Sequence, residues 1–218
     1  MKSMREGHFI VLEGVDGAGT TTQSRRLSET LLASGREAHV TAEPSRGPTG
    51  MLLREVLAGR IVVPGSSGPR APSWSTLALL FAADRLDHLE SEVLPQISRG
   101  ITVICDRYYH SSVAYQSCTG GGSARDIEWI KQINSYARRP DLTMVLDVSP
   151  QVAFERRSDR ASREIFDQPK LQHDLCEFYR GLERHFPDER IVHVNAEAPF
   201  DEVAREILAR AEASGGNA

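Results

Sequence analysis

The sequence predicts an α/β protein built on a parallel sheet, and three observations carry that reading. Short apolar runs rich in Val and Ile alternate with amphipathic stretches of helical length. Those runs are apolar at nearly every position, as in strands covered by helices on both faces. Hydrophobic residues make up 40% and charged residues 26% of 218, enough to close a core, and the length suits one domain spanning 1–218.

His8–Leu12 opens the series as the first strand, and its apolar stretch ends at Glu13, where glycines begin. Thr22–Ala33 is amphipathic and can cross back to a second strand at Ala38–Thr41. Gly59–Pro72 is dense in Gly, Pro and Ser, so it reads as a surface loop leading into one long helix over Ser73–Ser98. Ile101–Cys105 and Leu142–Leu146 are the third and fourth strands, with a helix expected over Ala124–Ala137 between them. From Glu155 to Gln168 the chain turns polar, with Arg156, Arg157, Arg160 and Arg163 among acids and serines, the pattern of a mobile flap or a solvated helix end. Lys170–His185 and Phe200–Ala211 are expected helices on either side of a fifth strand at Ile191–Val194, and the small polar residues Ser214–Ala218 are expected to fray. No internal repeat interrupts this order.

Charge and composition exclude several functions. With 26 Lys+Arg against 30 Asp+Glu the net charge is -4, so no basic field exists to hold polymeric nucleic acid. The longest apolar run, Leu77–Ala83, is far short of the ~20 residues of a membrane span. The apolar stretch from Phe9 is shorter than the roughly 7–15 residues of a signal-peptide core. Cys105, Cys118 and Cys176 are odd in number and widely spaced, which suits neither a disulfide framework nor a zinc site. A cytoplasmic protein is expected.

Directly after the first strand runs Gly14-Val15-Asp16-Gly17-Ala18-Gly19-Thr20-Thr21, with a helical pattern beyond it. The spacing is that of a P-loop, whose glycines let successive N–H groups curl around phosphates at a helix N-terminus. In the consensus GxxxxGK[ST] the lysine reaches the outer phosphates and the hydroxyl holds magnesium. Here Thr20 stands in the lysine's place. A Gly-rich turn that binds nothing has the same composition, but a second strand, Ile101–Cys105, ends in Asp106, as a carboxylate presented to a nucleotide's metal would.

Asp106-Arg107-Tyr108 followed by Ser111-Ser112-Val113-Ala114-Tyr115-Gln116 resembles the thymidylate kinase family. The same family pattern is found in Phe9–Gly14 with its P-loop, Glu43-Pro44, Leu80-Phe81-Ala82-Ala83-Asp84-Arg85, and Pro140–Thr143 running into Leu146-Asp147, so it covers nearly the whole chain. The resemblance implies a P-loop nucleoside monophosphate kinase fold, with a five-stranded parallel sheet flanked by helices, a mobile lid at about 155–168, and a homodimer. It implies transfer of the γ-phosphoryl of ATP, with Mg2+, to dTMP. A same-fold kinase for another (deoxy)nucleoside monophosphate, or a catalytically impaired nucleotide-binding paralogue, are the alternatives.

The implied roles follow residue by residue. Phe81 stacks on the thymine and Arg85, four residues on and on the same helix face, donates to its carbonyl. Arg107 clamps the acceptor phosphate, Tyr115 crowds the position of a ribose 2′-hydroxyl, and Ser111 and Gln116 complete the acceptor side. Asp16 lies near the acceptor's 3′-hydroxyl and the metal, which Asp106 and Thr21 hold. Two departures stand out. Ala42 precedes Glu43-Pro44 and Ser45-Arg46 follow, where relatives carry an arginine and two glycines, so Arg46 is the substitute phosphate contact. Members with a small residue such as Ala18 in the loop bring arginines from the lid, and Arg156, Arg157, Arg160 and Arg163 are then the cations that make up for Thr20.

Overall fold

The computed structural model describes residues 6–158, 166 and 168–215. The chain runs β1 (Phe9–Glu13), α1 (Thr20–Ala33), β2 (Ala38–Ala42), α2 (Pro48–Leu57), α3 (Trp74–His88), a π turn (Leu89–Val93), α4 (Leu94–Ser98), β3 (Thr102–Asp106), α5 (Tyr109–Gly120) and α6 (Ala124–Ile133). It continues through β4 (Leu142–Asp147), α7 (Pro150–Ser158), α8 (Pro169–Tyr179), α9 (Leu182–His185), β5 (Ile191–Asn195) and α10 (Phe200–Gly215). All five strands are parallel, in the order β2-β3-β1-β4-β5. The α/β fold and the five strands match the sequence expectation to within a residue or so at their ends.

β1, β3 and β4 are buried along almost their whole length, which explains their unbroken apolar runs. Phe9, Leu12, Ile104, Leu142 and Met144 are at most 1% exposed, each burial stabilising the fold by roughly 1.5–3 kcal/mol.

The strand order places a crevice where it is needed. The crossover after β1 leads to one edge of the sheet and that after β3 to the other side of β1, so their adjacent carboxyl ends form a switch point. The register pairs Leu12 with Asp106 and Asp106 with Ala42. Asp106 therefore stands level with the glycine loop on one side and Glu43 on the other.

Three local outcomes differ from the periodicity. The stretch Ser73–Ser98 stays helical but passes through the π turn just before Pro95. Proline lacks an N–H and crowds the carbonyl four residues back, and the widened turn relieves that crowding. The stretch Lys170–His185 breaks at Arg180-Gly181 into α8 and α9. α2, α5 and α7 form where no helix was expected. Gly59–Pro72 is a loop as read, pinned by one antiparallel bridge between Val63 and Arg70.

Candidate functional site

The glycine loop is shaped by backbone requirements. Gly17 adopts φ +91, and a Cβ there would lie 2.5 Å from the Ala153 carbonyl oxygen of α7. Only glycine permits both the conformation and the approach. The contact seats α7 on the loop, and Arg156, one turn beyond Ala153, lines the cavity that opens there. Gly19 caps α1 without a side chain, leaving the first-turn amides of a 14-residue helix without a side-chain cap and available to an anion. Val15 and Ala18 are buried in the core, so they offer only backbone to a ligand. Thr20 is buried and, with Asp16, Gly17, Gly19 and Thr21, forms one wall of the cavity.

Asp106, at the end of β3, accepts the Thr21 hydroxyl on Oδ2. Its other oxygen, Oδ1, is buried and has no partner among the described residues. A carboxylate and a hydroxyl with an unused buried oxygen are hard donors, and they fit a magnesium ion.

Arg107 follows with φ +70, a left-handed conformation rare outside glycine. The helix after it explains how that conformation is held. Glu13, fully buried at the end of β1, takes the Tyr108 and Ser111 amides on Oε1 at 2.8 and 3.2 Å and the Ser111 hydroxyl on Oε2 at 2.7 Å. It caps α5 from another strand, with its charge at the positive end of the helix dipole. Arg107 Nη1 donates to the Gly14 carbonyl at 2.7 Å and to Ser111 Oγ at 3.2 Å, and Nη2 to Asp16 Oδ1 at 2.7 Å. Burial disfavours the guanidinium charge, but the surrounding Tyr115, Asp16, Tyr179 and Asp106 side chains outweigh it and hold Arg107 well above the ordinary arginine range. Its guanidinium lies over the Tyr115 ring, 5.4 Å from the centroid.

The far end of the cavity is a buried polar network. Arg85 is 1% exposed and donates from Nη2 to Glu43 Oε2 at 2.6 Å and Ser112 Oγ at 3.1 Å, and from Nη1 to Asn134 Oδ1. Its Nε has no partner among the described residues, nor have the Tyr115 hydroxyl and Gln116 Oε1. Buried polar atoms are nearly always satisfied, so this cluster marks where a polar ligand belongs. Burial also pushes the Tyr115 phenol far up, keeping it neutral. The Phe166 ring meets Tyr115 edge-on at 5.2 Å.

A single cavity of about 800 Å³ joins these parts. Asp16, Thr20, Thr21, Asp106 and Arg156 line it around the glycine loop, Phe81, Arg85 and Gln116 around the buried polar network, and Arg107, with Ser111 and Tyr115 against it, joins the two. Arg46 is exposed and does not line it. Arg54 and Arg60 do, two guanidiniums that sequence reading missed. Arg54 is held by the Pro44 carbonyl and Arg60 by both oxygens of Glu55, at 2.6 and 2.7 Å. Pro48 after Gly47 is a helix-start signal that could have placed Arg54 one turn and a half into α2, facing the site. Arg157 lies outside the lining, with Nη1 buried and unpartnered among the described residues. Arg160 and Arg163 lie outside the described residues.

Among the described residues no helix is long and apolar enough to cross a membrane. A sequence profile described as thymidylate kinase matches residues 12–207. Proteins named "Probable thymidylate kinase" from Pyrococcus horikoshii and Pyrococcus abyssi are each 40% identical to the chain over 204 residues, covering 93% of it and 95% of the relative. That of Thermococcus onnurineus is 38% identical over 210 residues, covering 94% and 97%. With the phosphate loop, the strand-end aspartate and the aromatic-lined pocket in one cavity, the chain belongs to the thymidylate kinase family.

Proposed function

We propose that this chain transfers the γ-phosphoryl group of ATP to the 5′-phosphate of dTMP, giving dTDP and ADP. The observation that carries the reading is the single cavity, with phosphate-binding backbone at one end and unsatisfied base- and sugar-sized polar groups at the other. Phosphoryl transfer depends on positioning donor and acceptor against each other, which one cavity shared by both sets of groups allows.

At the donor end, the amides around Gly17, Gly19, Thr20 and Thr21 bind the phosphate chain, with the α1 dipole behind them. Asp106 and Thr21 would hold magnesium, which when bound neutralises charge on the donor phosphates. Arg107 holds the acceptor phosphate, and Asp16 orients both Arg107 and the acceptor sugar. Phe81 stacks on thymine, Arg85 donates to its O4, Gln116 borders the base and Tyr115 occupies the space a 2′-hydroxyl would need. Arg54 brings a further positive charge to the acceptor phosphate. No covalent intermediate is required.

The missing lysine is met from α7. Arg156 stands at the cavity with one donor on the Ala196 carbonyl at 2.9 Å, a neutral partner that a phosphate would outcompete. The segment 155–168 acts as the lid, the chain functions as one domain, and it works as a cytoplasmic homodimer.

A steady-state panel tests the function: ATP and Mg2+ with dTMP, dUMP, dCMP, dGMP and UMP. The reading expects dTMP to have the highest kcat/KM. Another nucleotide at the top would move the chain to a same-fold kinase of that substrate, and nucleotide binding without turnover would make it a binding protein.

A further inference from the structure

The wall behind Arg85 continues away from the cavity as a ladder. On β2 and just past it, His39, Thr41 and Glu43 alternate onto one face. On α3 and the following π turn, Arg85, His88 and Glu92 are three and four residues apart and share a face. The two rows meet rung by rung. Arg85 Nη2 bonds Glu43 Oε2 at 2.6 Å, while Glu43 Oε1 faces His88 Nδ1 at 3.3 Å. His88 Nε2 bonds Thr41 Oγ1 at 2.7 Å and lies 3.6 Å from Glu92 Oε2, whose other oxygen bonds His39 Nε2 at 2.7 Å. Arg85, Glu43 and His88 are at most 2% exposed, whereas His39 and Glu92 are about one-third exposed.

The carboxylate end of a Glu side chain turns about a broad, soft torsion, so Glu43 bonded only to Arg85 would leave its own plane loose, and with it the one charged partner that, beside Ser112 and Asn134, sets the direction of the guanidinium. A second partner on its other oxygen fixes the carboxylate plane. Thr41 in turn fixes the imidazole. His88 and Thr41 are absent from the cavity wall, while Arg85 and Glu43 form part of it. The geometry points to His88 as a positioning residue for base recognition: through Glu43 it sets the direction in which Arg85 presents its donors, so that pyrimidine selectivity is controlled partly from outside the cavity. The inference rests on the proposed contact of Arg85 with the thymine O4.

Thymine carries an acceptor at position 4, whereas cytosine carries an amino donor there. The ratio of kcat/KM for dTMP to that for dCMP therefore reads the aim of Arg85. His88→Phe keeps the bulk and removes both ring nitrogens, and His88→Asn returns a donor near the position of Nδ1. The expected result is a ratio about tenfold lower in His88→Phe, the scale of weakening one charge-assisted hydrogen bond, through a raised KM for dTMP with KM for ATP unchanged. His88→Asn should recover most of the ratio, which a merely structural role would not produce. A His88→Phe ratio equal to the unaltered protein's, beside an Arg85→Ala ratio that collapses, would overturn the ladder while leaving the base contact standing. An unchanged ratio in Arg85→Ala would overturn both. Should His88→Phe fail to fold, Thr41→Val releases the same ring from the other side, and about a threefold fall in the ratio is expected; no fall overturns the proposal.

Discussion

The two ends of the cavity are built on opposite plans. At the end proposed for the acceptor Arg85 is already paired with Glu43, Ser112 and Asn134, and where the two ends meet Arg107 is paired with Asp16, Gly14 and Ser111. At the donor end the loop offers bare amides, Thr20 carries no charge, and Arg156 rests on a backbone carbonyl. The difference teaches where each kind of work is done. Selecting one base needs donors held in place before the ligand arrives, because misdirected polar groups discriminate poorly. Holding a phosphate chain needs positive potential from many directions, which backbone amides and a long arginine can supply without a fixed lysine.

Several variants would break or sharpen this contrast. Arg107 touches both ends, so Arg107→Ala should cost most, about 10³-fold in kcat/KM for dTMP, the scale of a lost charged donor to a reacting phosphate. Steady-state kinetics that show an unchanged kcat and KM would remove it from the clamp. Glu43→Ala leaves a buried guanidinium without its carboxylate, which should lower stability by about 3–5 kcal/mol in a urea titration. A loss below about 1 kcal/mol would mean that the acceptor end is wetter and looser than its burial implies.

The donor end should respond differently. Arg156→Ala should lower kcat about 10²-fold while leaving the midpoint of unfolding nearly unchanged, since the side chain is exposed. A silent Arg156 would shift the missing cation to Arg160 or Arg163. The smallest effect is expected at Tyr115, where Tyr115→Ala should narrow discrimination between dTMP and its ribonucleotide counterpart by about tenfold, the scale of one relieved steric contact. An equal ratio before and after would assign the sugar selection elsewhere.

How much of this was legible in the sequence depended on what each segment buries. β1, β3 and β4 showed because parallel strands covered on both faces are apolar throughout, and the half-buried edge strands β2 and β5 showed by shorter runs that mix Val or Ile with polar residues. α5 did not show as a helix, because its buried face carries Tyr109, Ser112, Tyr115 and Gln116 for the site, which dilutes the apolar period. α2 was hidden by Pro48 and Gly50 at its start, where Gly50 is required because a Cβ would lie 2.1 Å from the Ser45 carbonyl oxygen. The glycine loop, Asp106, Arg107, Phe81 and Arg85 were readable by motif. The partners that hold them were not. Glu13 caps a helix 95 residues away in sequence, and Glu43 pairs with an arginine 42 residues on. Such long-range pairings leave no local spacing to read. Arg46 and Arg54 show the same limit, since only the path of the chain through α2 decides which guanidinium faces the cavity.

The central claim is that this kinase works with threonine where the loop lysine would be, and comparing turnover of the unaltered protein with that of Thr20→Lys tests it most directly. Release of ADP with saturating ATP, Mg2+ and dTMP gives kcat for both. The account predicts a turnover within the usual enzyme range of about 1–10³ s⁻¹ for the unaltered protein, and a change of less than about tenfold in Thr20→Lys, because Arg156 and the loop amides already supply the charge. A negligible turnover that rises by orders of magnitude on Thr20→Lys would contradict it, and would identify the natural protein as a nucleotide binder that lost catalysis with its lysine.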